Sequence, residues 1–340
     1  MSDGLRVGIV GCGLIGRKRA AVLRAEDSLI GVFDTDPHAR QSLGAGVGAR
    51  ACGDLDELLA LSPDAVIVAV SHDALAECSV RALAAGAHVL VEKPAGIGIA
   101  DVERIATAAA YADRRVKVGF NHRFHPGLAR AAEEVRSGEH GELMHLRGRY
   151  GHGGRLGYDR EWRADPLRSG GGELVDQGMH LLDLSHWIAG PLPLHAAILR
   201  TQFWDMPVED NAALLLGDPG LRRGPWAMLH VTWTEWKNLF SIEVYCRTAK
   251  LQVDGLTGSY GPQRLRIYRM APSLGPPELE EITYPAADPS WAAEWSNFTQ
   301  RIADGAAMLG DLADARYAWE CVEAAYEQAA SVAGAEWVSP

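Results

Sequence analysis

Three short segments of this chain combine residue types at spacings that can do chemistry. Gly11-Cys12-Gly13-Leu14-Ile15-Gly16 follows directly on the apolar run Leu5–Val10, and Asp34 closes the next apolar run, Leu29–Phe33. Glycines so spaced permit a tight strand-to-helix turn, let a pyrophosphate approach backbone N–H groups, and let helix and strand pack closely. The phosphates would sit at a helix N-terminus, where spare donors and the positive dipole end favour anions. Asp34 stands 18 residues beyond Gly16, close to the ~20 of an acid that hydrogen-bonds the adenosine ribose. A carboxylate there repels a 2′-phosphate, which predicts NAD over NADP. An empty scaffold of the same shape is the alternative.

The second segment is Val91-Glu92-Lys93-Pro94, at the carboxyl end of an apolar run, where open α/β sheets place their ligands. Pro94 holds Lys93 extended and allows a cis bond, which would aim the ammonium into the crevice. A surface lysine at a strand-to-loop turn is the competing explanation. The third runs from Ser169 through Gly170-Gly171-Gly172 to Asp176 and His180. Four residues apart on a helix, Asp176 and His180 share a face, while the glycines leave room for a ligand near the backbone. A neutral imidazole suits removal of a hydroxyl proton, and the carboxylate can orient it or bind a second hydroxyl. Zinc ligation lacks a third ligand at suitable spacing, so no metal is expected. Between these segments, Asn121-His122-Arg123-Phe124-His125-Pro126 marks the end of the last apolar run, where Asn121 and Arg123 can hold cofactor or substrate. Hinge packing explains them equally well. His72, beyond the Ala65–Val70 run, is placed to flank the pyrophosphate, and His152 lies in an arginine-rich loop.

These residues need elements to position them. Apolar runs at Leu5–Val10, Leu29–Phe33, Ala65–Val70, His88–Val91 and Val116–Phe120 alternate with helix-compatible stretches such as Ala74–Ala85 and Ile99–Tyr111. Each crossover is long enough for parallel strands, so residues 1–121 predict a doubly wound Rossmann domain. Beyond Phe120 the pattern changes. Helices near Leu128–Arg136 and Glu173–Ile188 accompany strands near Glu142–Tyr150, Ala212–Leu216, Ala227–Glu235, Phe240–Arg247, Lys250–Val253 and Arg264–Tyr268, which predict a mostly antiparallel open sheet in a second, α+β domain over residues 122–340. Helices near Trp291–Ile302 and Leu312–Ala330 finish the chain. Trp226, Trp233 and Trp236 are read as crowding one part of that sheet, as a core or a subunit interface.

Composition narrows the function. The 340 residues are 47% hydrophobic and 23% charged, with a formal charge of −11, which argues against a nucleic-acid partner. No run approaches the ~18 apolar residues of a membrane span. The five cysteines are scattered with no CxxC spacing, and the first strand starts within a few residues of Met1. That pattern predicts a reduced, cytoplasmic protein. Arg147, Arg149, Arg155, Arg160, Arg163 and Arg168 lie close enough in sequence to supply local donors to an anionic ligand; a solvated face is the alternative.

Taken in order, Gly11 to Gly16, Asp34, Glu92-Lys93-Pro94, Asn121 to Pro126 and the triple glycine before Asp176 and His180 resemble the glucose-fructose oxidoreductase, inositol dehydrogenase and rhizopine-catabolism family, Gfo/Idh/MocA. The resemblance implies a Rossmann domain followed by an α/β domain whose open sheet joins subunits as a homodimer or homotetramer. It implies oxidation or reduction of a secondary alcohol on a sugar or cyclitol with a nicotinamide cofactor. In that chemistry His180 is general base or acid, Lys93 hydrogen-bonds the reacting oxygen, and Asp176 binds substrate hydroxyls. With the residue-level reading, it places the cofactor against Gly11, Gly13, Leu14, Ile15, Gly16, Asp34, Ser71, His72, Glu92, Lys93, Asn121, Trp162 and Arg163. The substrate falls to Lys93, Arg123, His152, Tyr158, Asp176 and His180. His122 departs from the family pattern, where arginine or another residue is common. The segment Glu161 to Pro166 looks like that of a subgroup acting on sugars or nucleotide sugars. A ketoreductase run in reverse and a non-catalytic NAD-binding sensor are the alternatives.

Overall fold

The structure, a computed structural model, describes residues 4–333, and it divides into two compact units. The first comprises residues up to Asn121 together with Trp291–Arg316. Its strands are β1 (Arg6–Val10), β2 (Ser28–Phe33), β3 (Arg50–Ala51), β4 (Ala65–Val68), β5 (His88–Val91) and β6 (Val116–Val118). Between them run α1 (Leu14–Ala20), α2 (Pro37–Val47), α3 (Leu55–Leu59), α4 (His72–Ala84) and α5 (Ile99–Ala112). The strands pair in parallel in the order β3-β2-β1-β4-β5-β6. β4 and most of β1 and β5 are buried on both faces, which is why they read as unbroken apolar runs rather than alternating ones. The order reverses between β1 and β4, so the loops after these two strands flank the point where such sheets take their ligands.

The second unit spans His122–Ser290 and resumes at Tyr317. It holds α6 (Pro126–Ser137), β7 (Leu143–Gly151), α7 (Pro166–Ser169), a π-helical turn at Leu174–Gly178, α8 (Met179–Ala189), and strands β8 (Leu194–Arg200), β9 (Asn211–Leu216), β10 (Trp226–Thr232), β11 (Leu239–Cys246), β12 (Ala249–Asp254), β13 (Arg264–Arg269) and β14 (Glu278–Thr283). These form an eight-stranded sheet, β14-β13-β12-β11-β7-β10-β9-β8, antiparallel except for the β7–β10 pair. α9 (Ser290–Asp304) and α10 (Leu312–Ala333) complete the described chain.

The sequence assigned residues 122–340 to one continuous second domain, whereas Trp291–Arg316 packs with the first. Trp295 and Phe298 of α9 enter the Rossmann core beside Val7, Ile9 and Leu90, and the Trp295 Nε1–H donates to Asp27 Oδ2 at 2.8 Å. Residues 334–340, also within the expected domain, lie outside the described residues. A second correction concerns the tryptophans. Trp226 opens β10 and Trp233 follows its end, so they sit at opposite ends of a seven-residue strand. Trp233 is fully buried while Trp226 and Trp236 are exposed.

Candidate active site

In the first unit the loop after β1 is shaped for close approach. A Cβ on Gly16 would lie 1.9 Å from Gly11 O, so only glycine lets α1 start against the turn. Over Gly13, by contrast, a Cβ would meet nothing within 4 Å, and no side chain caps α1. The backbone there is open to a ligand, the condition a bound pyrophosphate sets. Asp34 faces the same turn: its Oδ2 accepts from the Cys12 N–H at 2.6 Å and its Oδ1 from the Asp36 N–H at 2.9 Å. These two backbone donors fix the carboxylate beside the loop. The residues present therefore fit a dinucleotide with an adenosine ribose on Asp34. On the far side of the switch point, His72 is the buried first residue of α4, just after Ser71. At the end of β5 the Lys93-Pro94 bond is cis, and Lys93 is partly exposed.

In the second unit Asp176 and His180 do share a helix, but its first turn is π rather than α. Such bulges insert a residue into an α-helix and are frequent at functional sites. The turn's start is held by a residue that local sequence pattern does not reveal. Glu209, just before β9, takes three consecutive N–H groups: Gly172 on Oε2 (3.2 Å), Glu173 on its backbone O (2.9 Å) and Leu174 on Oε1 (2.9 Å). The Tyr326 hydroxyl of α10 donates to the same carboxylate at 2.9 Å. Glu209 is fully buried, and burial pushes its carboxyl up to about 7 against those bonds.

Around His180 the side chains are aromatic. The His122 ring stacks on it with centroids 3.8 Å apart, and His125, Tyr150 and Phe240 surround His122 at 5.4–5.7 Å. Burial lowers the His125 pKa. Asp176 Oδ2 receives the Arg163 Nε at 3.2 Å, and the Arg163 guanidinium lies 4.5 Å over the Trp162 ring. His152 accepts the Gly154 N–H on Nδ1 at 2.9 Å. Burial holds its pKa down, with Asp176 opposing, so the ring is neutral and carries its proton on Nε2. Among the described residues no cluster of three His, Cys, Asp or Glu could hold a metal.

Comparison with known proteins decides the family. Residues 5–120 match the model of an oxidoreductase family with an NAD-binding Rossmann fold, GFO_IDH_MocA, and residues 128–252 match the GFO/IDH/MocA C-terminal domain. The chain belongs to the GFO/IDH/MocA family. Among relatives, it is 32% identical to a 1-carboxy-3-chloro-3,4-dihydroxycyclohexa-1,5-diene dehydrogenase of Comamonas testosteroni, over 54% of this chain and 47% of that one. It is 28% identical to the rhizopine catabolism protein MocA of Rhizobium meliloti, over 63% of this chain and 64% of that one. The chain thus spans between about half and two thirds of the curated relatives it matches. The crystal structure of GenD2 from gentamicin A biosynthesis, in complex with NAD, superposes with a TM-score of 0.82 at 25% identity, covering 98% of this chain and 96% of that one.

Several residues expected at the ligands of this GFO/IDH/MocA chain have other partners. Arg123, read as a substrate residue, forks onto Asp183 with Nε–Oδ2 at 2.9 Å, both side chains being buried. Glu92, read as touching cofactor, lies in a buried ion cluster: Arg19 Nε donates to it at 2.7 Å, and Arg19 Nη1 to Glu294 at 2.6 Å. Tyr158 is a core ring against Trp233, 5.0 Å away, because the loop carrying it folds over its own small apolar cluster. The six arginines do not form one anion site. Arg147 and Arg149 project from β7, with Arg147 2.9 Å from Glu243, while Arg155 meets Glu161 at 2.7 Å and Arg163 meets Asp176. The triple glycine also has a different cause from the one expected. A Cβ on Gly172 would lie 2.0 Å from Glu209 O, and one on Gly171 2.1 Å from the Tyr326 hydroxyl, so these glycines admit protein groups.

Proposed function

We propose that this chain is an NAD-dependent oxidoreductase acting on a secondary alcohol of a sugar, nucleotide sugar or cyclitol. The observation that carries the reading is the buried His180 imidazole on the same helix as Asp176, one turn further on, in a chain whose Rossmann unit has an open cradle above Gly13. Gly11, Gly13, Leu14, Ile15, Gly16 and Asp34 would hold the dinucleotide, with Ser71, His72 and Asn121 beside it. The nicotinamide, when bound, supplies the hydride acceptor or donor. His180 takes the hydroxyl proton in oxidation and returns it in reduction, within the aromatic wall of His122, Tyr150 and Phe240. Lys93 donates a hydrogen bond to the reacting oxygen and steadies its developing charge. Asp176 accepts from substrate hydroxyls, and His152 offers its Nε2–H to a substrate oxygen. Asp34 favours NAD over NADP, because its two N–H partners hold the carboxylate where a 2′-phosphate would lie.

The relatives support the substrate class. They include a glucose-6-phosphate 3-dehydrogenase of Bacillus subtilis, a myo-inositol 2-dehydrogenase of Thermotoga maritima and a D-glucoside 3-dehydrogenase of Escherichia coli. The test is to follow reduced-nicotinamide absorbance with the purified protein, either cofactor, and a panel of cyclitols, aldoses, glycosides and sugar nucleotides, in both directions. Turnover with NAD is expected, with His180→Ala and Lys93→Ala each slower by about 10²-fold or more. Absence of turnover across the panel, or a His180→Ala enzyme as fast as the parent, overturns the proposal.

A further inference from the structure

We propose that Glu209 is a positioning residue for this centre: it is the single fixed point from which the π-turn bearing Asp176, and the His180 helix behind it, are hung. The inference rests on the function proposed above and adds a residue that touches neither substrate nor cofactor in that reading. The first N–H groups of a helix have no partner within the helix. Here three in succession, those of Gly172, Glu173 and Leu174, reach one residue, two on its side chain and one on its main chain, the Gly172 N–H being shared with the Tyr326 hydroxyl at 3.2 Å. An ordinary N-cap satisfies one such group, so three contacts fix direction as well as position. Gly172 is required for this approach, since any Cβ would collide with the Glu209 carbonyl oxygen. Through the Tyr326 hydroxyl, α10 is pinned to the same carboxylate.

The arrangement also makes the turn sensitive to pH. Ionised, the Glu209 carboxylate accepts from both N–H groups and from Tyr326; protonated, it can donate to the Tyr326 hydroxyl instead, and both N–H bonds lose the charge that strengthens them. Three ionisable neighbours face it from the elements packed around it. Tyr326, on α10, has its own ionisation pushed well above the usual tyrosine range by burial. Glu173, on the turn, bonds Glu209 through its backbone N–H. Asp210, beside it, accepts the N–H groups of Gln202, Phe203 and Trp204. Burial places the Glu209 midpoint near neutrality. The turn is therefore held by charge-assisted bonds above that pH and by weaker, neutral ones below it.

The experiment compares full-length Glu209→Gln, Glu209→Ala and Tyr326→Phe with the parent. Circular dichroism and the affinity for NAD, read by fluorescence titration, report the fold and the other unit. Glu209→Gln should keep both, with NAD affinity within about twofold, yet lose about tenfold in kcat, since a misplacement of ~1 Å costs up to about 10²-fold. The alanine variant should lose about 10²-fold, so that glutamine rescues it in part. The pH profile of the parent should show an ionisation near neutrality, besides that of His180, which Glu209→Gln removes. An arm without substrate reads the His180 imidazole by ¹³C NMR: its shift in the parent should report a second step near neutrality that is missing in Glu209→Gln. A folded Glu209→Gln protein with the parent's kcat, or with the parent's two-step His180 titration, overturns the proposal. If instead His180→Ala has no effect on turnover while the NMR step behaves as stated, the function proposed above fails and the tether stands.

Discussion

At the scale of single residues the site is governed by which polar groups are buried and what answers them. Glu209 shows the conflict most directly: its N–H partners favour the ionised form, and its burial opposes them more strongly, raising its folded pKa to about 7 from an ordinary value of 4.5. A carboxyl whose folded pKa lies above its unfolded one binds more protons in the native state between those values. Its contribution to stability is complete below pH ~4.5 and is lost as pH rises through ~7, a difference of about 3 kcal/mol. Glu209→Gln cannot titrate. Urea melts of the two proteins from pH 4.5 to 8 should show the variant gaining about that much on the parent as pH rises; parallel curves would contradict the assigned burial effect. The chemically obvious residues, Asp34, Lys93, Asp176 and His180, could be proposed from sequence because each belongs to a short segment with its own spacing. Glu209 was not. Its partners lie 37 residues back and 117 residues on, a relation that appears only when β9, the π-turn and α10 are assembled. Arg123 misled for the same reason, since its partner Asp183 is 60 residues away.

Among elements, the ion cluster of the first unit does for the Glu92-Lys93-Pro94 turn what Glu209 does for the helix. Arg19 comes from α1, Glu92 follows β5 and Glu294 lies on α9, so one guanidinium ties the helix of the glycine turn to the residue before Lys93 and to the returning segment. Two buried carboxylates on one arginine leave no spare counter-charge, and burial raises the Glu92 pKa. Arg19→Met should therefore cost about 3–5 kcal/mol, the penalty of stranding buried charge, and Arg19→Met with Glu294→Gln should recover part of it. Denaturant midpoints at unchanged slope are the check, and a single variant within 1 kcal/mol of the parent would rule out the tether. The central strands of the Rossmann sheet were legible as elements because burial on two faces writes an unbroken apolar run. β14, Glu278–Thr283, was missed because it is an edge strand whose glutamates, Glu278, Glu280 and Glu281, fall on both faces and break the alternation, and β8 because its burial alternates weakly. The return of α9 to the first unit could not be read either. An amphipathic helix declares that it has a partner surface without declaring which.

On the scale of the whole molecule, the eight-stranded sheet poses the remaining question. Its inner residues, such as Ala227, Leu229 and Val231 on β10, are buried, while the outward neighbours Trp226 and Met228 are 40% and 48% exposed. Met228 pairs in register with Leu215 of β9, and Ile198 of β8 stands one pair further along. The opposite half of the same face carries matched charges, Arg147 and Lys250 on Glu243 and Arg266 on Glu281. A half-apolar, half-charged sheet face suits an isologous contact, in which each copy covers the other's exposed methionine and leucine with the same surface. We accordingly propose a homo-oligomer joined through this sheet, burying upwards of about 1,000 Å² in total. Sedimentation should give at least twice the 36.7 kDa of one chain. Met228→Glu with Leu215→Glu should shift it to a monomer, because each copy would bring two like charges to the centre of the contact. The inner face of the sheet, which packs against the His180 helix, is untouched by these substitutions, so NAD affinity should be preserved while the mass falls. A parent protein that sediments as a single chain at micromolar concentration, or a double variant that stays assembled, would remove the sheet from consideration as the joining surface.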